Sequence, residues 1–434
     1  MAQVRGRPKG VFYGWYLVAG GWGVHVIVAS TYVLGMGVLF NPIRSELDWT
    51  ATATALAFSL RQFEAGFLSP VVGFMIDRFG TRKMMLAGLF ILGLGFLLLA
   101  RIQNIWQFYV VFLFLATGPS MGYAQAMNAA VVNWFRRQRV RAMGFMWTGG
   151  SIGGLLVPAI ALMVDNLGWR RSATISGLAV WAVGLPLATL MRHRPEPYGW
   201  LPDGAQPEGE AAGATTGTRA GAPAAAQPGP DLGVKAAMRT RTFWIIASAQ
   251  ATFAMTSSMV LTVNLVPFLE SIEFPRTQAA SVVSLFMLSA LPARVSLGLV
   301  GDRFQKRKVL ALLYILSASG TLVLAGTQVY WHVIPFAILA GFAHGGAVIM
   351  TTALVSESFG TSRFASITGL LQTFGVLGGM IGPTAGGLVY DLRGSYRPAF
   401  IAVAILMALA SPLILLARQP RAAPAPTDGG GAAR

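Results

Sequence analysis

Apolar residues run along the chain in stretches of about 20, separated by short charged or Pro/Gly-rich breaks, and a helix of that length crosses a bilayer core of about 30 Å. The pattern predicts twelve spans, near residues 14–40, 51–76, 84–100, 106–132, 142–164, 172–191, 243–268, 277–300, 309–326, 331–356, 364–389 and 396–417. Six lie on each side of a polar break at 192–240. Part of that break, GEAAGATTGTRAGAPAAAQPGPD at 209–231, is too poor in apolar residues to fold. The expected organisation is an N-terminal six-helix bundle over 1–191, a flexible linker over 192–240, and a C-terminal six-helix bundle over 241–434 that ends in a short disordered tail.

Composition agrees with this reading. Of the 434 residues 54% are apolar and 11% charged, against about 25% charged in soluble proteins, which excludes a soluble enzyme and a disordered chain. Cysteine is absent and the four histidines, His25, His193, His332 and His344, show no ligand spacing, so neither metal nor cofactor is expected. No P-loop or nucleophile–base constellation points to an ATP-driven pump or an enzyme. The first apolar run is too long for the h-region of a signal peptide and is expected to be the first span.

The net charge of +17 changes the picture only through its placement. With the N-terminus inside, the inner loops and tails hold 24 of the 33 Lys and Arg and the outer loops seven, with Arg61 and Arg294 inside spans. That bias puts both termini in the cytoplasm, and it accounts for the charge without a nucleic-acid partner. The Ala-, Gly- and Arg-rich composition suggests a bacterial inner membrane.

The chain also repeats itself. GFMIDRFGTRK at 73–83 matches GLVGDRFQKRK at 298–308, and GFMWTGGSIGGLLVP at 144–158 matches GLLQTFGVLGGMIGP at 369–383. Both pairs are 225 residues apart, from 73 to 298 and from 144 to 369. The chain therefore reads as a duplicated six-helix unit, an arrangement found in secondary transporters, and two bundles enclose a full pathway in a monomer.

The Gly-x-x-x-Asp-Arg-x-Gly-x-Arg-Lys loop after span 2 and its copy after span 8, with six-plus-six spans, resemble the major facilitator superfamily. The first copy, with Gly73, Asp77, Arg78, Gly80, Arg82 and Lys83, matches fully; the second keeps Asp302, Arg303 and Arg307 but has Gln305 in place of a glycine. Tyr13-Gly14-Trp15, Asn133-Trp134-Phe135-Arg136-Arg137 and the stretch from Ala293-Arg294 to Gly298 are similar to the monocarboxylate porters and the oxalate/formate antiporter group. The resemblance implies an all-α fold of twelve helices in two pseudo-symmetric bundles, with substrate bound between them and alternating access. In the two charged loops, Asp77 and Asp302 are expected to pair with nearby cations and with a facing helix end as an inner gate; the alternative is that the basic residues only enforce topology.

Arg294 is the sharpest single residue, because an unpaired guanidinium inside a span is costly unless it faces a cavity or a partner. In the resembled porters this arginine meets the substrate carboxylate, which it can grip at two points; the alternative is snorkelling to the headgroups. Arg61 and Glu64, at i, i+3 on one face of span 2, form either a permanent ion pair or a proton-coupling site in which Arg61 holds the charge of Glu64. His25 and His344 join Glu64 as candidate proton carriers. Tyr123, His344 and Gln372 are candidate substrate contacts, with helix–helix hydrogen bonds as the alternative for each, as also for Gln125, Asn128 and Asn264.

Departures from the family narrow the cargo. Span 1 carries no lysine near Leu34, Ala290 stands where the animal porters have an acidic residue, and LLQTFGVLGG at 370–379 lacks the second basic residue of the oxalate carrier. One buried guanidinium suits one carboxylate. The expectation is a small organic monocarboxylate moved with a proton, with an exporter of drugs or other solutes on the same fold as the alternative and a non-transporting sensor as a more distant one.

Overall fold

The computed structural model describes residues 12–49, 51–204, 232–260, 265–274 and 276–417. A span in lipid must satisfy its own backbone, and the helix is the form that does so. The first half consists of α1 (Tyr13–Leu34, continued by Met36–Glu46), α2 (Ala51–Phe79), α3 (Thr81–Leu99), α4 (Ile105–Trp134), α5 (Arg139–Leu167) and α6 (Trp169–Thr189). The second consists of α7 (Arg241–Val260, followed by Leu265–Ser271), α8 (Arg276–Val300), α9 (Lys306–Ala325), α10 (Val333–Phe359), α11 (Phe364–Arg393) and α12 (Arg397–Leu415). Among the described residues eleven segments are long and apolar enough to cross a membrane. The 29-residue α2 matches them in length and carries Arg61 and Glu64 in its interior.

The duplication in sequence is a duplication in packing. In the first half α1 packs on α5, α2 on α4, and α3 on α4 and α6; in the second α7 packs on α11, α8 on α10, and α9 on α10 and α12. The halves meet along two seams, α2 with α11 and α5 with α8. We call the side on which α6 ends and α7 begins the linker face, and the opposite side the distal face. Trp106 and Trp331, another pair 225 residues apart, lie about three-quarters exposed where α4 and α10 enter from the distal face, the position favoured by an amphipathic ring at a membrane boundary.

Both seams depend on glycine. A Cβ on Gly144 of α5 would lie 2.5 Å from the Gly298 Cα of α8, and one on Gly73 of α2 would run into the Ala365 carbonyl of α11. Small residues let the backbones touch, which is how helices gain packing energy in lipid. The contacts fall in the linker-side parts of all four helices. On the distal face the polar ties stay within a half: Glu46 pairs with Arg170 and accepts from Trp169 Nε1 at 2.6 Å, while Arg397 donates to the Thr327 carbonyl at 3.0 Å.

The two charged loops differ in backbone. Gly80 turns at φ +86°, a conformation that costs a side chain and not glycine. The second loop instead forms a short turn over Gly301–Arg303 and passes Gln305 at φ −67°. The glycine missing there is not needed.

Residues 192–204, grouped by composition with a flexible linker, fold onto the first half. Arg192 lies between the rings of Tyr13 and Tyr198, 3.9 and 4.0 Å from their centroids. Asn133 and Trp134 donate to the carbonyls of His193 and Arg192, and the Asp203 carboxylate accepts from the backbone N–H groups of Arg136, Arg137 and Gln138 ahead of α5. Aromatic and carboxylate anchors at specific positions thus override a loop-like composition. Residues 205–231 and 418–434, expected as linker and tail, lie outside the described residues, as does Asn264.

Two measurements test this packing. Because the chain has no cysteine, spin labels at K83C and K308C report the linker face directly; Gly144→Val is expected to widen their distance distribution, and an unchanged distribution would show that the seam does not need close approach. His193, outside the spans, is held down to about 4 by burial and then by the Arg194 charge, while an unfolded chain takes its proton near 6.5. Its stabilising contribution is complete above about pH 6.5 and is lost as the pH falls toward 4. His193→Gln should flatten the pH dependence of the melting temperature across that window.

Candidate functional site

The site is built where the linker-side seams reach the middle of the helices. Arg294 lies on α8, two residues after Pro292 and one turn before the Gly144–Gly298 contact, so its side chain leaves the second half at the point where α5 is nearest. Its Nη1 donates to the Ser151 Oγ at 2.9 Å and to the Trp147 carbonyl at 3.3 Å, both on α5 of the first half. Among the described residues no carboxylate lies within 4 Å of it, and its Nε and Nη2 make no hydrogen bond with them. The guanidinium is mostly buried, bonded across the two halves, and keeps one edge free.

Around it stand three polar rings. His25 of α1 is buried, edge-on to Tyr123 of α4 at 5.0 Å and to Trp147 at 4.8 Å, and its Nδ1 has no partner among the described residues. Tyr123 sits where α4 breaks into two helical pieces, four residues after Pro119. His344 of α10 stacks on Phe253, touches Phe286, and shares a 3.3 Å hydrogen bond with Ser257. His25 packs against both Tyr123 and Trp147, whose carbonyl holds Arg294, so the structure brings Arg294, Tyr123 and His25 together; the neighbour of His344, Gly345, packs against Ala290, one turn before Arg294 on α8.

Gln372 occupies a related position in the other half. It accepts from Gln250 Nε2 at 3.1 Å, and 225 residues earlier the same two places are held by Trp147 and His25. The amide pair is thus the pseudo-symmetric counterpart of the histidine–tryptophan pair beside Arg294.

The pair expected on α2 does not form. Arg61 lies over the ring of Tyr32 on α1, 4.8 Å from its centroid, whereas Glu64 Oε2 accepts from Ser120 Oγ of α4 at 3.1 Å. No Arg61–Glu64 ion pair exists within 4 Å, because each group finds its partner on a different neighbouring helix, a π-face for the cation and a hydroxyl for the carboxylate. Glu64 Oε1 is buried without a partner among the described residues.

The duplicated aspartates reach across the halves. Asp77, at the end of α2, accepts from the backbone N–H groups of Ala365 and Ser366 and from the Ser366 hydroxyl, at 3.3, 2.9 and 2.6 Å, at the start of α11. Asp302 accepts from the N–H groups of Val140 and Arg141 at the start of α5, at 2.8 and 3.0 Å. Each carboxylate holds the positive end of a helix from the opposite half. Arg139 adds a further bond between the halves, from its Nη1 to Ser356 Oγ at 2.9 Å. The arginines of the motif take no part in these bonds: Arg78 lies over Phe79, and among the described residues Arg78, Arg82, Arg303 and Arg307 have no carboxylate within 4 Å.

Sequence reasoning missed Ser151, Trp147, Gln250, Ser120, Ser366 and Arg139. Ser151 stands in the glycine-rich stretch GGSIGG, where its small size signals packing, and Trp147 contributes a carbonyl that its identity does not advertise. Gln250 had a signal, since it is the repeat counterpart of His25.

Comparison with known proteins follows this geometry. The model of the Major Facilitator Superfamily matches residues 21–272 and 246–433. The chain is similar to the MFS transporter asaE of Aspergillus flavus, 26% identical over 430 residues, 95% of this chain and 88% of that protein. It is also similar to monocarboxylate transporter 4 of Rattus norvegicus, 26% identical over 420 residues, 92% and 83% of the respective chains. Among solved structures, FucP in the outward conformation shares the fold, with a TM-score of 0.72 at 16% identity, covering 93% of this chain and 99% of that one. With eleven candidate spans and the equally long α2 among the described residues, arranged in two repeated bundles, and a family model that spans nearly all of it, the chain belongs to the Major Facilitator Superfamily.

Proposed function

We propose that the protein moves a small organic monocarboxylate across a bacterial inner membrane, with the linker face cytoplasmic, by alternating access of a site between the two halves. The observation that carries this reading is Arg294, a guanidinium at the junction of the halves with no carboxylate partner and with its Nε–Nη2 edge free. That edge offers two parallel N–H donors, the geometry that grips a carboxylate. Tyr123 adds a hydroxyl and His25 and Trp147 an aromatic wall, while Gln250 and Gln372 offer neutral hydrogen bonds from the other half. The likeness to relatives named monocarboxylate transporters supports the cargo class.

Proton coupling belongs to the same reading. One proton moved with one monoanion is electroneutral and avoids about 2.3 kcal/mol per charge per 100 mV. Of the three candidate carriers we assign the role to Glu64, whose buried Oε1 is unpartnered and whose nearest basic residue, Arg61, is occupied by Tyr32. His25 and His344 serve as ring contacts beside the anion.

Uptake of labelled monocarboxylates into proteoliposomes under an inward proton gradient tests the anchor. Arg294→Ala should raise KM about tenfold to a hundredfold, the equivalent of a lost charge-assisted hydrogen bond of about 1.5–3 kcal/mol. Undiminished transport of neutral cargo by that variant, with no carboxylate transported by either protein, would favour a drug or solute exporter instead. Coupling is tested separately: Glu64→Gln should abolish gradient-driven accumulation while leaving exchange of labelled for unlabelled substrate intact. Equal loss of both activities would remove Glu64 from the proton path.

A further inference from the structure

Away from Arg294, a groove opens on the linker face beside the α2–α11 seam, with a volume of about 730 Å³. Its floor and walls are apolar, from Pro70 and Phe74 of α2, Leu370 of α11 and the short helix Val234–Met238 that precedes α7. Its charged lining residues are Lys235 and Arg363, both exposed, and among the described residues no carboxylate lines it. From this groove an apolar stripe climbs the outside of α2 through Val71, Phe67 and Phe63, which are 49, 71 and 62% exposed. The rings of Phe63 and Phe67 lie parallel, 6.3 Å apart.

We propose that this groove binds an anionic glycerophospholipid, with its phosphate between Lys235 and Arg363 and an acyl chain along the α2 stripe. Two observations select this occupant. The two exposed cations complement a phosphate that carries net negative charge, since basic side chains at a membrane surface attract anionic lipid, while the carboxylate of Asp77 beside the groove is taken up by Ser366 and Ala365. The stripe continues toward the middle of the span, where a soluble phosphate has nothing to gain and a hydrocarbon chain covers exposed aromatic surface.

The site also touches the gate. Ser366 lines the groove and is the residue whose N–H and hydroxyl hold Asp77. A lipid with its phosphate on Lys235 and Arg363 of the second half and its acyl chain on α2 of the first lies across the α2–α11 seam, and so holds the linker face closed. This inference does not depend on the identity of the transported solute.

Native mass spectrometry of the full chain in detergent, titrated with dioleoyl phosphatidylglycerol or dioleoyl phosphatidylcholine, tests the site. The expected result is one phosphatidylglycerol retained about tenfold better than phosphatidylcholine, with that preference lost in K235Q/R363Q and kept in K83Q/K308Q, a control pair of linker-face lysines. In nanodiscs, spin labels at K83C and K308C should report a shorter distance distribution with phosphatidylglycerol than with phosphatidylcholine. Equal retention of the two lipids, or equal loss of preference in both double variants, would overturn the site. Displacement by an equal concentration of glycerol 3-phosphate would reassign it to a soluble phosphate, and unchanged label distances would overturn its hold on the gate.

Discussion

A helix that enters a membrane presents backbone N–H groups that its own residues cannot satisfy. In this protein the first turns of α5 and α11 find acceptors in the opposite half, in Asp302 and Asp77. These contacts do two things at once: they complete the hydrogen bonding of two helix ends, and they tie the halves together on one face only. Each is a bond between a carboxylate and the positive end of a helix, worth about 1.5–3 kcal/mol per charged hydrogen bond. Glycine contacts between Gly144 and Gly298 and at Gly73 then become possible. With the linker-side seams closed, Arg294 comes within hydrogen-bond distance of Ser151 and the Trp147 carbonyl, and the candidate site takes its shape.

The frame is symmetric and the site is not. At the position related to Arg294 by 225 residues the first half has Ser69; His25 is related to Gln250, Trp147 to Gln372, Tyr123 to Val348, and His344 to Pro119. The residues that tie the halves, by contrast, keep their chemistry in both copies, Asp77 with Asp302 and Gly73 with Gly298. Under the proposed function, a rocking motion needs equivalent hinges and latches on the two sides of the pathway, which fits the likeness of the duplicated parts. A bound solute is not symmetric, which fits the divergence of the residues around Arg294.

Much of this was legible in the sequence, because the signals are local. Twelve apolar runs match eleven candidate spans and the equally long α2 among the described residues, and two repeated motifs mark the duplication and the aspartates that tie the halves. Arg294 stood out because a cation inside an apolar run has few explanations. What was not legible depends on contacts between distant positions. Arg61 and Glu64 share a helix face at i, i+3, yet Arg61 takes the ring of Tyr32 and Glu64 the hydroxyl of Ser120, and no pattern along α2 states that. Asp77 meets Ser366 and Asp302 meets Val140 only after the halves dock. The segment 192–204 reads as a loop until Tyr13, Asn133 and Trp134 are seen to hold it.

Under the proposed function, the bonds of Arg294 make the empty carrier slower to change state than the loaded one. Opening the linker face separates α5 from α8, and with that separation the guanidinium loses Ser151 and the Trp147 carbonyl. Without a replacement, a cation is left in a low-dielectric span with too few acceptors, a costly state. A bound carboxylate supplies the acceptors at the free Nε–Nη2 edge and neutralises the charge before the seam parts. The same cost falls on any route between the two states, whose free energies must otherwise lie within a few kcal/mol of each other for transport to proceed. Under the proposed function, the substrate is therefore part of the machinery that lets the halves move: it meets the electrostatic demand of Arg294 that the protein meets with α5 in the closed form.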